Sequence, residues 1–223
     1  MTEKSKKLKL SNAEMLTLVI IGVLAIMVVY NTIRISSVTS IISTSSGAST
    51  AIKSLSLSKI LPTGTPKIYG NELRVKYDDI SVSNSQTTES TIAVLGNLDN
   101  SITLDGEDLQ RYIDIAMQIS CEYCCGAAAI IFSNGQAACG CAHSYAMRGL
   151  AKYLIKNHGD EFSDDEILEE LGKWKVLFFP DIHAQKAAIL ESQGIELNYI
   201  NLASNKYRGI EQGASGGSMV GGC

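Results

Sequence analysis

Between residues 121 and 147 the chain reads CEYCCGAAAIIFSNGQAACGCAHSYAM, a stretch that holds five of the six cysteines in the 223-residue sequence. These five are Cys121, Cys124, Cys125, Cys139 and Cys141. Asn134-Gly135 lies between the two cysteine groups and is a strong hairpin signal, because a type I′ turn requires positive φ at both central residues. We therefore expect a Cys-rich hairpin that brings the two groups together.

The cysteine spacing is typical of a metal site. C-x2-C places two thiolates on one turn and the hairpin adds a second pair, a ligand set that suits tetrahedral zinc. Zinc is our first choice of metal, with copper or an iron–sulfur centre as alternatives because thiolates also bind these. The preferred ligands are Cys121, Cys124, Cys139 and Cys141, with Cys125 and His143 as substitutes.

Two other uses of the cysteines stay open. A thiolate with a lowered pKa at a helix end or near His143 would support thiol–disulfide exchange. Alternatively, the cysteines only staple the fold, in which case the odd fifth one stays free or pairs with Cys223. Whether the protein is an enzyme is therefore left open, with binding favoured over catalysis.

Helices are expected on both sides of the cysteines. Apolar spacing predicts one helix over 105–120 and another over 144–157. Ser163 and Glu166 form a capping box that begins a helix over 164–178, and a third helix is expected over 181–193. The second and third of these four form a helical hairpin.

Short alternating or apolar runs predict strands in the rest of the domain. They lie at 73–77, 80–82, 92–95 and 102–104, with a last one at 195–199. The predicted fold class is therefore α+β: a small antiparallel sheet, then the Cys-rich hairpin, the helical hairpin and the third helix.

The N-terminal region predicts a membrane anchor. Residues 15–30 carry no charge, and with their edges they approach the roughly 30 Å thickness of a bilayer core. Lysines precede this run, whereas only Arg34 follows closely, so the positive-inside rule places the N-terminus in the cytoplasm. We expect a single-pass cell-membrane protein with an extracytoplasmic C-terminal domain.

The charge, motifs and composition of the chain argue against several functions and divide the chain into segments. The net charge of −4, with no basic cluster beyond the N-terminus, argues against nucleic-acid binding. No phosphate loop and no H-E-x-x-H motif occurs. The predicted segments are a basic cytoplasmic tail (1–12), a transmembrane helix (13–35), a Ser/Thr-rich stalk (36–65), a soluble Cys-rich domain (66–205) and a flexible Gly-rich tail (206–223).

Residues 121–180 resemble two families in part. A cysteine motif, a short helix and the sequence SDDEILEELGKWKVLFFP resemble the cysteine-bearing helical hairpin of the cytochrome c biogenesis subunit CcmH, a thiol oxidoreductase. The CGC-A-HS segment is similar to lipoproteins with a PCYCGC motif. The first resemblance implies an exchanging pair at Cys121 and Cys124.

Three functions are consistent with the sequence. The first is an extracytoplasmic metal-binding protein, and the second is a thiol–disulfide oxidoreductase or redox carrier. The third is a disulfide-stapled interaction domain. The first two predict a protein partner for metal delivery or thiol exchange.

Overall fold

The structure is a computed structural model that describes residues 21–24 and 57–211. The chain divides into two units, residues 1–51 and 52–223. Within the first unit, the described residues 21–24 are helical. All further description concerns the second unit, which holds the cysteines.

The second unit is built from helices. Residues 57–60 are helical and precede the labelled elements. The α-helices are Gly70–Leu73 (α1), Ser85–Ser101 (α2), Gly106–Ala116 (α3), Ala142–His158 (α4), Asp164–Phe178 (α5), Pro180–Ser192 (α6) and Tyr199–Ala203 (α7). Two 3₁₀ helices, Tyr77–Asp79 and Asn205–Tyr207, complete the order.

The predicted α+β fold class is wrong. In the described ranges, β pairing is limited to two isolated bridges, Ile119 with Ser204 and Ile131 with Ala137. Residues 92–95, predicted as a strand, lie inside α2, where the Asn84 side chain accepts the Thr87 amide at the N-terminus. The Asn84 cap and the helical hydrogen bonds pair the backbone N–H and C=O groups of α2 within the helix itself. A short strand would need a neighbouring strand to pair the same groups.

The structure also contradicts the predicted membrane anchor and the cell-membrane location. Among residues 21–24 and 57–211, no helix has the length and apolar character needed to cross a membrane. We withdraw both predictions. The rest of the predicted span, 13–20 and 25–35, lies outside the described residues, as do 1–12, 36–56 and 212–223.

Several predicted helices are found. Helices α4 and α5 match the expected segments closely, and Ser163 and Glu166 form the predicted capping box. Helix α6 follows α5 directly, with Pro180 in its first turn. Gly194 just beyond α6 has φ +71°, the left-handed conformation that favours glycine at a helix end.

Helix α4 occupies the centre of the main core. It packs against α2, α3 and α5, and its side chains Met147, Leu150, Ala151 and Leu154 are almost fully buried. A smaller apolar cluster joins Ile60 to α5, α6 and α7. Any side chain at the N-terminal end of α4 is therefore held by a buried, packed helix.

Gly149 sets how closely α2 approaches α4. A Cβ atom built on Gly149 would overlap the Leu95 carbonyl oxygen and lie 2.8 Å from the Asp99 amide nitrogen. Both neighbours are backbone atoms of α2, so they cannot move aside as a flexible side chain does. The close contact of the two helices therefore requires glycine at this position.

We expect Gly149→Ala to lower the free energy of unfolding by about 2 kcal/mol, because the strain exceeds the gain in helix propensity. Urea denaturation followed by circular dichroism measures this change. Gly140→Ala is the matched control, since its Cβ would meet nothing within 4 Å. Equal stability of the two variants would contradict the close packing of α2 on α4.

Candidate metal centre

Cys141 is the N-cap residue of α4. Its backbone is extended, with φ −78° and ψ 154°, and its Sγ atom accepts the Ser144 amide at 3.4 Å. The Ser144 hydroxyl lies 3.4 Å from the same sulfur. The first amides of a helix lack intrahelical acceptors and carry partial positive charge, so this position favours a thiolate.

Cys121 lies next to Cys141. It follows the short bridge at Ile119, and its carbonyl accepts the Cys124 amide at 2.9 Å in a tight turn. The two Sγ atoms are 3.2 Å apart, and Cys121 is fully buried. Both are free thiols.

His143 supplies the third ligand of the group. It lies in the first turn of α4 and is fully buried, with its ring 4.7 Å from Phe178 and 5.0 Å from Phe179. The ligand atoms of Cys121, Cys141 and His143 all lie within 4.8 Å of one another. This buried Cys₂His group can hold a metal ion.

A disulfide joins the two arms of the hairpin beside this group. Cys125 and Cys139 are bonded, and the turn at Asn134-Gly135 has φ +80° at the glycine. The Cys139 sulfur lies 3.5 Å from the Cys141 sulfur. The hairpin therefore brings the two cysteine groups together, but its turn is not the expected type I′ turn, because Gly135 has positive φ and Asn134 does not.

The two free thiols share one proton. The hydrogen bond from Cys121, with further bonds from His143 and Ser144, holds the pKa of Cys141 well below its ordinary value, despite burial. The hydrogen bond to Cys141, together with burial, raises the pKa of Cys121. The lowered pKa of Cys141 and its contact with the Ser144 amide favour a thiolate at Cys141, and the raised pKa of Cys121 favours the neutral thiol there.

The ammonium group of Lys175 is a buried cation near Cys121. Lys175 on α5 is fully buried, and its ammonium donates to the Glu122 carboxylate at 3.1 Å and to the Ala203 carbonyl at 2.8 Å. Burial lowers the pKa of Lys175 to about 8. Its positive charge also favours the thiolate form of Cys121, against the larger effects of the neighbouring sulfur and of burial on the Cys121 pKa.

The structure divides the predicted ligands into a cluster of three, a disulfide pair and Cys124, which belongs to neither. Cys121, Cys141 and His143 form the cluster, whereas Cys125 and Cys139 form the disulfide. Cys124, expected as a ligand and as the exchange partner of Cys121, is disulfide-bonded and is not part of the cluster. The sulfur nearest to Cys121 is that of Cys141.

Residues not predicted from sequence also shape the site. Ser144 carries a recognisable signal, because it stands three positions after the N-cap, where a capping contact is expected. Lys175, Phe178 and Phe179 carry no such signal. Lys175 comes near Cys121, and the two phenylalanines reach His143, only through the packing of α5 and the residue after it against α4.

No protein-family model matches the chain, and neither a curated protein nor a solved structure matches it. The resemblance of residues 121–180 to the CcmH hairpin and to PCYCGC lipoproteins is therefore untested and stays a prediction. The function must be inferred from the geometry of the cysteines and His143.

In the metal-free chain, we expect Cys141 to remain a thiolate as the pH falls below about 8.5, the ordinary pKa of a cysteine thiol. Its lowered pKa stabilises the fold above the unfolded-state pKa, and this contribution is lost as the pH falls through the folded-state value. Ultraviolet thiolate absorbance during acid titration measures the ionisation.

Two cysteine variants make this titration specific. Cys141→Ser should remove the absorbance that persists at low pH, whereas Cys121→Ser should keep it, because a serine hydroxyl still donates to the thiolate. If both thiols of the wild-type chain titrate near the ordinary pKa, the helix-capped thiolate is disproved.

Proposed function

We propose that this protein binds one soft metal ion through Cys121, Cys141 and His143. The observation that carries this proposal is the meeting of two buried sulfurs and one buried imidazole within 4.8 Å. Three soft or borderline ligands in a dry pocket are the donors that Cu(I) and zinc prefer.

The ligand spacing requires little adjustment. With zinc–sulfur bonds of about 2.3 Å, the two sulfurs of a tetrahedral site lie about 3.8 Å apart. The Cys121 and Cys141 sulfurs are 3.2 Å apart around a shared proton. Replacing this proton by a metal ion needs a separation of roughly half an ångström, which small side-chain rotations supply.

The number of ligands distinguishes the metals. Structural zinc takes four protein ligands as a rule, whereas this group has three while Cys139 stays bonded to Cys125. Reduction of that disulfide frees the Cys139 sulfur, which already lies 3.5 Å from Cys141. Cu(I) accepts the three-ligand set directly, and zinc requires the reduced form with Cys139. An iron–sulfur cluster, which usually takes four cysteines, fits least.

The charges support a cation at this position. Two thiolates carry a charge of −2, which zinc balances fully and Cu(I) balances in part. The nearby ammonium of Lys175 offsets remaining negative charge. We include in this proposal the metal release to a partner protein that the sequence predicts. Because the metal ligands are buried, release requires a partner whose own ligands compete for the ion.

We expect the purified full-length chain to bind one Cu(I) ion with its disulfide intact, and zinc tightly only after reduction. Titration with competing chelators and elemental analysis measure both, with ascorbate keeping copper reduced without reducing the disulfide. His143→Gln should weaken binding by roughly tenfold or more. Cys121→Ser and Cys141→Ser should abolish it.

Matched controls separate ligand loss from damage to the fold. His158→Gln changes the other histidine of α4, which lies about 22 Å along the helix from His143 and pairs with Glu72 and Glu161. It should keep full binding. Cys139→Ser should remove the gain of zinc affinity on reduction. A chain that binds neither ion in either redox form would refute the proposal.

A further inference from the structure

Four sulfurs form a continuous row from the surface to the core. Cys125 is exposed and is bonded to Cys139. The Cys139 sulfur lies 3.5 Å from that of Cys141, which in turn lies 3.2 Å from that of Cys121. Cys139, Cys141 and Cys121 are all buried, with 4%, 6% and 0% of their surfaces exposed.

The row places a nucleophile next to an electrophile. Cys141 is the N-cap of α4 and accepts the Ser144 amide, which stabilises negative charge on its sulfur. The neighbouring residue Cys139 contributes one sulfur atom to a disulfide bond, and a disulfide sulfur is the atom that a thiolate attacks. The Cys121 sulfur lies 3.2 Å from that of Cys141, so Cys121 is a second thiol that can continue the reaction.

Cys139 is also held from the side of α4. Arg148 donates from Nη1 to the Cys139 carbonyl at 2.7 Å, and its Nε is paired with Asp99 at 2.7 Å. Because Arg148 and Cys141 belong to the same buried helix, the nucleophile and its target are fixed to one rigid element. The short distance between their sulfurs therefore does not depend on a mobile loop.

We propose that the chain carries out internal thiol–disulfide exchange, moving the disulfide from the exposed Cys125–Cys139 pair to the buried Cys121 and Cys141. In the first step the Cys141 thiolate bonds to the Cys139 sulfur. The Cys139–Cys125 bond breaks, and its electron pair leaves on Cys125, which takes a proton from solvent.

In the second step Cys121 attacks the Cys141 sulfur, its proton passes to the Cys139 sulfur, and Cys139 leaves as a thiol. One disulfide is consumed and one is formed, with two free cysteines before and after, so the exchange needs no outside oxidant. An external thiol or disulfide can reach the row only at the exposed Cys125 end. This row thus gives such a reactant access to sulfurs that it cannot touch directly.

The exchange would control the metal site, and this consequence rests on the proposed function. A Cys121–Cys141 disulfide removes both sulfur ligands, whereas a metal bound to these thiolates removes the nucleophile. Metal binding and inward movement of the disulfide therefore exclude each other.

Iodoacetamide, added to the native, metal-free, full-length chain without reductant, tests the exchange. We expect it to trap Cys125 and Cys139 as they are released, leaving a Cys121–Cys141 disulfide in peptide mapping by tandem mass spectrometry. A chain that keeps its Cys125–Cys139 disulfide, with either no alkylation or alkylation of Cys121 and Cys141 alone, would overturn the proposal.

Two variants stop the reaction at different points. In Cys121→Ser the second step is blocked, so Cys125 should be alkylated while a Cys139–Cys141 disulfide accumulates. In Cys141→Ser the nucleophile is absent, and Cys125 should stay bonded to Cys139. Alkylation of Cys125 at the wild-type rate in Cys141→Ser would contradict the proposed path.

A variant outside the ligand set keeps the two proposals separable. Cys125→Ser removes the exposed end of the row but none of the three metal ligands, so it should retain Cu(I) binding. Oxidised glutathione should then form the buried disulfide at least roughly tenfold more slowly in Cys125→Ser than in the reduced wild-type chain. Equal rates would refute the exchange while leaving metal binding intact.

Discussion

The hydrogen bond from the Ser144 amide to the Cys141 sulfur joins the site to the fold. It places a thiolate at the N-terminus of α4, the helix at the centre of the main core. His143 comes from the first turn of the same helix, and Arg148, two turns on, holds the Cys139 backbone. The packing of α4 thus fixes three of the components around which the chemistry is organised, and Cys121 is the component that must be brought to it.

Burial explains why one proton is shared in the metal-free site. A second thiolate beside Cys141 would place two negative charges 3.2 Å apart away from water, and the raised pKa of Cys121 reflects this cost. A metal ion can replace the proton because it offers more positive charge at the same place. A disulfide between the two sulfurs removes the charge altogether. A shared proton, a bound metal ion and a disulfide bond are therefore three alternative ways to avoid two uncompensated negative charges on the buried sulfurs of Cys121 and Cys141.

The sequence predicted those parts of the fold that depend on local signals. Capping and helical spacing placed α4 and α5 correctly, and Asn134-Gly135 predicted the turn of the hairpin. Helix α2 was missed because it is rich in small polar residues, and its short apolar run at 92–95 resembles a strand. Which cysteines form the cluster was not predictable, since the contact of Cys121 with Cys141 depends on how the hairpin packs against α4.

X-ray absorption spectroscopy of the Cu(I)-loaded full-length chain, with its disulfide intact, tests the central claim most directly. We expect a first coordination shell of two sulfurs and one imidazole nitrogen, with the nitrogen contribution lost in His143→Gln. After reduction and loading with zinc, the shell should contain three sulfurs and one nitrogen. A shell made mainly of oxygen atoms, or one that does not change in His143→Gln, would contradict a metal centre at Cys121, Cys141 and His143.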